Sequence, residues 1–214
     1  MKIVTKPIAG ISLLFSSSIP AAAYDLPANL PARKPGLWEM RTTGTVGPNQ
    51  LKDIKRYCLD AKADRALQEL KILRKEQQVV FHDISCQAPK FSLAGEVLAG
   101  EMACRTNSQD DDDAAGNDFR WTTTFRSESE VVEVEHSGPN DVPLLLEIDL
   151  VEEQRWIGEC PAGQTPGDGI DVGFTYNSDA WPDEAQPVNI YESLAVSDKL
   201  LKEGVEINKR LGAI

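Results

Sequence analysis

Period-two alternation dominates the middle of the chain. In FRWTTTFR, Phe119, Trp121, Thr123 and Phe125 fall on one face, and Arg120, Thr122, Thr124 and Arg126 fall on the other. In PLLLEIDLVEE, Leu144, Leu146, Ile148 and Leu150 share a face, opposed by Leu145, Glu147, Asp149 and Val151. EVVEVEH groups Val132, Val134 and His136, LWEMRTTG groups Trp38 and Met40, and VVFHDISC has the composition of a further strand. Such alternation marks strands with one side on a core and the other in water. Turn residues gather at VGPNQ and SGPND, so the connections are short. The expected class is mainly β (α+β): an antiparallel meander or a partly closed, barrel-like sheet, with one short internal helix and a C-terminal helix.

The two helices break the alternation. DAKADRALQELKIL opens on Asp60, a good N-cap, and repeats apolar residues at Ala63, Ala66, Leu67, Leu70 and Leu73. From 161 to 188 the chain is rich in Gly, Pro and Asp without a period, which predicts an irregular connection. Residues 189–214 then read as an amphipathic helix. Ile190, Leu194, Leu201 and Val205 form one stripe, and Val196, Leu200, Ile207 and Leu211 form a second. Ser197 and Gly204 lie between the stripes. The apolar arc is roughly 200° wide, about twice what docking on a sheet requires. Burial between the sheet and the Pro-rich connection would use that width. Burial is the first reading, and a second copy, a partner protein or a membrane surface on one stripe is the functional alternative.

Residues 1–23 read as a signal peptide. Lys2 and Lys6 precede an apolar run, Ile8 to Phe15, that is too short to span a bilayer, and Ala21 and Ala23 suit a signal peptidase. No later apolar run approaches a transmembrane length. The expected location is therefore periplasmic or secreted after cleavage near Ala23, with the β domain starting at residue 24. The formal charge of −12 becomes more negative on cleavage, because the leader carries lysines and no acids. That surface repels nucleic acid and anionic lipid.

In an exported chain, Cys58, Cys86, Cys104 and Cys160 read as two disulfides with three connectivities open. The favoured arrangement nests Cys86–Cys104 within Cys58–Cys160. The inner pair flanks two strand segments that return near Gly95, and neighbouring strands bring Cβ atoms within bridging range. The outer pair would close a loop of roughly 100 residues, contributing about 4–5 kcal/mol in the chain-entropy model. A zinc site has no C-x-x-C pair and no nearby His to support it.

Reactive chemistry finds little footing. The run Asp110 to Asp113 lacks the bidentate Glu of a calcium loop and reads as a solvated hairpin tip. Asp168 and Asp171 lie in a Gly-containing loop without liganding periodicity. There is no nucleophile elbow, no phosphate-cradling glycine loop and no adjacent carboxylate pair on one strand face, since Glu152 and Glu153 point to opposite sides. His82 and His136 are the two imidazoles, and His136 reads as a strand-end residue. No metal, cofactor or catalytic residue is expected. Trp38, Trp121 and Trp156 read first as core plugs, with the lining of a concave sheet around a small apolar ligand as the functional alternative.

The pieces KPGLWEM, YCLDAKAD, ISC, MAC and RWIGECPAG, in that order and with four cysteines, resemble a family of small exported bacterial proteins catalogued as a domain of unknown function. The likeness spans Lys34 to Gly163. It implies an envelope location, a mostly antiparallel β domain and paired cysteines, and it carries no catalytic residues. The functional expectation is a non-catalytic binding or structural module of the envelope, acting on a partner or on itself through the wide helix face. A carrier of a small hydrophobic molecule is the alternative. A hydrolase would need His82 or His136 beside a Ser or Asp in an open cleft.

Overall fold

The computed structural model describes residues 24–106, 116–140, 145–181 and 185–211. The leader expected over 1–23, the run Asp110 to Asp113 and Leu144 lie outside the described residues. The chain begins with a hairpin, β1 (Gly36–Val46) and β2 (Asn49–Leu59), followed by α1 (Ala61–Val80). Next come β3 (Ile84–Cys86), β4 (Lys90–Ala94), β5 (Val97–Thr106), β6 (Gly116–Ser127), β7 (Glu130–Asn140) and β8 (Ile148–Gly158). The last part holds β9 (Asp168–Tyr176), β10 (Asp179–Trp181), β11 (Gln186–Asn189) and α2 (Ile190–Leu211).

The strands form one open antiparallel sheet in the order β10-β9-β2-β1-β8-β7-β6-β5-β3, with β11 added to β9 and β4 to β5. β5 to β8 make the expected meander, and β8 closes back on β1, which joins the meander to the N-terminal hairpin.

α1 lies across one face. Its start follows from Asp60, whose carboxylate accepts the Ala63 N–H at 2.7 Å and so satisfies one of the orphan donors of the first turn. The helix continues past Leu73 to Val80, which corrects the expectation of a strand in VVFHDISC. Lys75, Glu76, Gln77 and Gln78 are strong helix formers, and Val79 and Val80 are buried as its last turn. Asp83 takes a left-handed turn conformation, φ 57°, leaving only Ile84–Cys86 to pair as a strand.

The Gly/Pro/Asp-rich stretch 161–188 is also not irregular. It supplies β9, β10 and β11, and β9 covers the edge of β2 from Leu51 to Tyr57. Glycines that argue against a strand in isolation serve packing here: the Tyr57 ring lies where a side chain at Gly169 would sit.

α2 is placed differently from the expectation as well. Only its first turn reaches the sheet core, through buried Ile190 with Tyr191 and Leu194 packed beside it. The rest lies on α1 as an outer layer. Gly204 marks the close approach, since a Cβ there would stand 2.9 Å from both Val80 methyl carbons. Asn208 Nδ2 donates to the Val80 carbonyl at 2.7 Å and Gln77 Nε2 to the Ser197 carbonyl at 3.1 Å.

The disulfides are Cys86–Cys104, whose residues are register partners on β3 and β5, and Cys58–Cys160, which ties the end of β2 to the segment after β8. Their Cα atoms are 3.9 and 5.5 Å apart respectively.

Candidate functional site

The face of the sheet under α1 is built in transverse rows, because antiparallel register places one inward side chain from each strand side by side. Near the start of α1 the rows are apolar. Tyr57, Trp38 and Trp156 neighbour one another across β2, β1 and β8, and Met40, Gln154, Val131 and Phe125 follow. Ala63, Ala66, Leu67 and Leu70 of α1 close over them.

Trp38 is 0 % exposed and its indole N–H donates to the Lys34 carbonyl at 2.9 Å. Trp156 is partly buried and donates to the Pro35 carbonyl at 3.0 Å, with Lys34 Nζ 3.6 Å from its ring centroid. Trp121 belongs to a second core cluster with Phe119, Met102 and Ile84. All three indoles lie on the same face and pack against core residues, and Trp121 also borders a cleft with Phe91 and Gly100.

The next row is polar. Asp53, Thr42, Glu152, Glu133 and Thr123 stand side by side across β2, β1, β8, β7 and β6. Glu133 and Glu152 are direct cross-strand partners, a like-charge pair that destabilises a sheet when left alone. Lys71 resolves it from the helix: its Nζ lies 3.1 Å from Glu133 and 2.6 Å from Glu152. Thr123 donates to Glu133 at 3.0 Å, and Thr42 and Gln154 donate to Glu152 at 3.0 and 2.6 Å. One turn on, Lys75 pairs with Glu135 at 2.7 Å and stands 5.1 Å from the Trp121 ring centroid.

These contacts set the protonation states. Burial pushes the Glu133 carboxyl up, but attraction from Lys71 and Lys75 and hydrogen bonds from Lys71 and Thr123 outweigh it, leaving the group pushed down to about 2. Burial opposes the Lys71 charge, and Glu133 and Glu152 overcome it, so its pKa is raised. Asp53 goes the other way: burial raises it, and its ion pair with Lys55 only partly compensates.

Beside this network a cavity of about 390 Å³ opens between α1 and the sheet, within the size range of small-molecule sites. Its apolar surface comes from Leu51, Leu150 and Phe174. Its charged rim holds Asp53, Glu133, Glu135 and Glu152 from the sheet, and Lys71, Arg74 and Lys75 from the helix. Arg74 is exposed and forms no ion pair with a carboxylate among the described residues. The arrangement holds charge in fixed positions next to an apolar wall.

Sequence reasoning missed this site through β7. Grouping Val132, Val134 and His136 as the core side is overturned by Val131, Glu133, Glu135 and Ser137, which face the helix while Val134 is exposed. The signal lies in β8, where Glu152 continues the parity of Leu150. Lysines at positions 71 and 75, spaced to share a helix face, are its counterpart.

The second predicted surface, on α2, divides. Leu194 packs on the core, and Leu201 and Val205 are half-buried. Val196, Leu200 and Ile207 are 58, 40 and 46 % exposed, and Leu211 ends the helix.

The chain belongs to the family described as protein of unknown function (DUF3617), whose model matches residues 33–160. No curated protein and no solved structure matches it. The family match contains α1 and β1 to β8, and with them every charged group of the polar network. β9, which brings Phe174 to the cavity, lies beyond it.

Proposed function

We propose that this member of the family is a non-catalytic binding module of the cell envelope, and that the cleft between α1 and the sheet is its ligand site. The observation that carries the reading is the cavity itself, an apolar wall of Leu51, Leu150 and Phe174 facing Arg74. Arg74 is the lining cation without a carboxylate partner among the described residues. A ligand with an apolar body and a single anionic group matches both halves. This refines the simple hydrophobic carrier, since a purely apolar molecule would bury the carboxylates and ammonium groups of the rim without contacting them favourably. The envelope setting is supported by two disulfides, which persist in oxidising compartments, and by the character of residues 1–23. No helix among the described residues is long and apolar enough to cross a membrane.

Titration with anilinonaphthalene sulfonate, a fluorescent anionic amphiphile, tests the site. Saturable binding at one probe per chain is expected, weakened about tenfold by Arg74→Ala through loss of a charge-assisted contact. Binding that is absent, or identical in Arg74→Ala and Leu150→Ala, would refute it.

A second reading rests on a separate observation. The three exposed aliphatic residues of α2 suit attachment to a partner or a second copy. Sedimentation of the oxidised chain and of the Val196→Ser/Leu200→Ser/Ile207→Ser variant distinguishes it: an association constant equal in both removes the reading.

A further inference from the structure

We propose that His136, Asp149 and Glu147 form a binding site for one divalent transition-metal ion of the zinc type, on the sheet face turned away from α1. The register of β7 and β8 places His136 directly opposite Asp149. Glu147 immediately precedes β8, and its carboxylate lies close to both of the other groups. Its backbone is held by the Gly47 N–H, which donates to the Glu147 carbonyl at 2.7 Å. One donor atom from each of the three side chains lies within 4.8 Å of the other two. His136 Nδ1 is 2.8 Å from Asp149 Oδ1.

Metal–ligand bonds of about 2.0–2.2 Å put adjacent ligand atoms roughly 3–3.5 Å apart. The imidazole and the Asp149 carboxylate therefore already stand close to a coordination edge, and a rotation of the Glu147 side chain supplies the third ligand. Gly138, the next position on this face of β7, leaves the ring uncrowded: a Cβ there would first meet His136 Nε2, at 3.5 Å.

The donor set selects the metal class. Calcium and magnesium take oxygen ligands, whereas imidazole with carboxylates suits zinc and its first-row neighbours. The His136 side chain is 44 % exposed and that of Asp149 58 %, so water or a second ligand can complete the shell. Two carboxylates balance the dication, and a chain of net charge −12 draws cations to its surface. One group opposes binding. Arg120 of β6 is the other register partner of His136 and lies on the same face. Ligation also requires a neutral imidazole, so binding weakens on acidification. The site is independent of the cleft under α1, which occupies the opposite face.

The test is calorimetric titration of the oxidised chain with Zn²⁺ after treatment with chelator, using unfolding curves to confirm that each variant folds. Expected are one ion per chain, at least tenfold weaker binding in His136→Ala and in Asp149→Asn, tighter binding in Arg120→Gln, and no change in His82→Ala. Excess Ca²⁺ should not compete. Failure of the wild-type chain to bind zinc overturns the proposal. Binding that survives His136→Ala unchanged overturns it too, by locating the ion elsewhere, with the Asp110 to Asp113 run as the first alternative.

Discussion

The two halves of α1 meet the same sheet in opposite ways. The first half sets Ala63, Ala66, Leu67 and Leu70 on Trp38, Tyr57, Met40 and Phe125, a dry contact in which nearly every side chain is apolar. The second half sets Lys71 and Lys75 on Glu133, Glu135 and Glu152, and a cavity opens beside them. Packing accounts for most of the first half, where the one buried charge is the Arg33 guanidinium, stacked over Trp38 and Phe125 and 3.4 Å from Asp64. The second spends stability, because desolvating charges costs several kcal/mol per ion unless geometry and hydrogen bonds recover it. A fold that needed only a lid over its sheet would continue the leucine stripe. The second half is where filled packing gives way to a cavity lined by charge, and departures of that kind gather at functional sites.

The largest expected effects separate the halves by pH. Trp38→Ala should destabilise by about 3–5 kcal/mol through cavity formation, equally at neutral and acidic pH. Lys71→Met should cost a similar amount, about 3–5 kcal/mol, by stranding two facing carboxylates, but only at neutral pH. In the wild type Glu133 is shifted from 4.5 down to about 2, so its contribution is complete above about 4.5 and is lost as pH falls through 2. Without Lys71, burial dominates and the carboxylates take up protons at higher pH. The gap between Lys71→Met and wild type should therefore narrow on acidification. Urea unfolding at a series of pH values measures both variants, and a gap that stays constant would show that Lys71 acts through packing.

A smaller effect sharpens the contrast. Replacing the whole cluster, Lys71→Met/Glu133→Leu/Glu152→Leu, should bring stability within about 1 kcal/mol of wild type, since exchanging a buried ion group for apolar side chains is often neutral or better. It should also raise affinity for the anionic probe, because the lining loses one net negative charge and gains apolar surface while Arg74 stays in place. Smaller still, Asp60→Ala should cost about 1 kcal/mol by removing the N-cap, with no change in probe affinity, because it loosens the packing end of α1 alone. Melting curves and titrations on the same samples report both quantities.

The dry half was legible in the sequence and the charged half was not. Phe119, Trp121, Thr123 and Phe125 alternate cleanly, and β6 presents all four to the core. Asp60 and the Ala/Leu stripe announced α1, and the composition around Cys86 and Cys104 announced their bridge. In β7 hydrophobicity does not mark the inward side: Val132 and Val134 turn outward, while Glu133 and Glu135 turn inward to meet lysines that no local pattern links to them. β9 was hidden for a related reason. Its glycines and aspartates argue for a loop until β2 offers an edge to pair with, and that pairing joins residues far apart in the chain. The exposed second stripe of α2 was visible as a wide apolar arc, but the sequence does not reveal that only Ile190 and Leu194 of the other stripe reach the sheet core while the rest of α2 lies on α1.

On the proposed reading, the charged half of the α1–sheet contact is a ligand cleft and not an imperfect core. Amide and methyl chemical-shift mapping of the isotopically labelled chain with anilinonaphthalene sulfonate tests it most directly. Shifts should saturate at Leu51, Arg74, Leu150 and Phe174, leave Val196, Leu200 and Ile207 unmoved, and vanish in Arg74→Glu. Shifts confined to α2, or none at all with the fold intact, would contradict it.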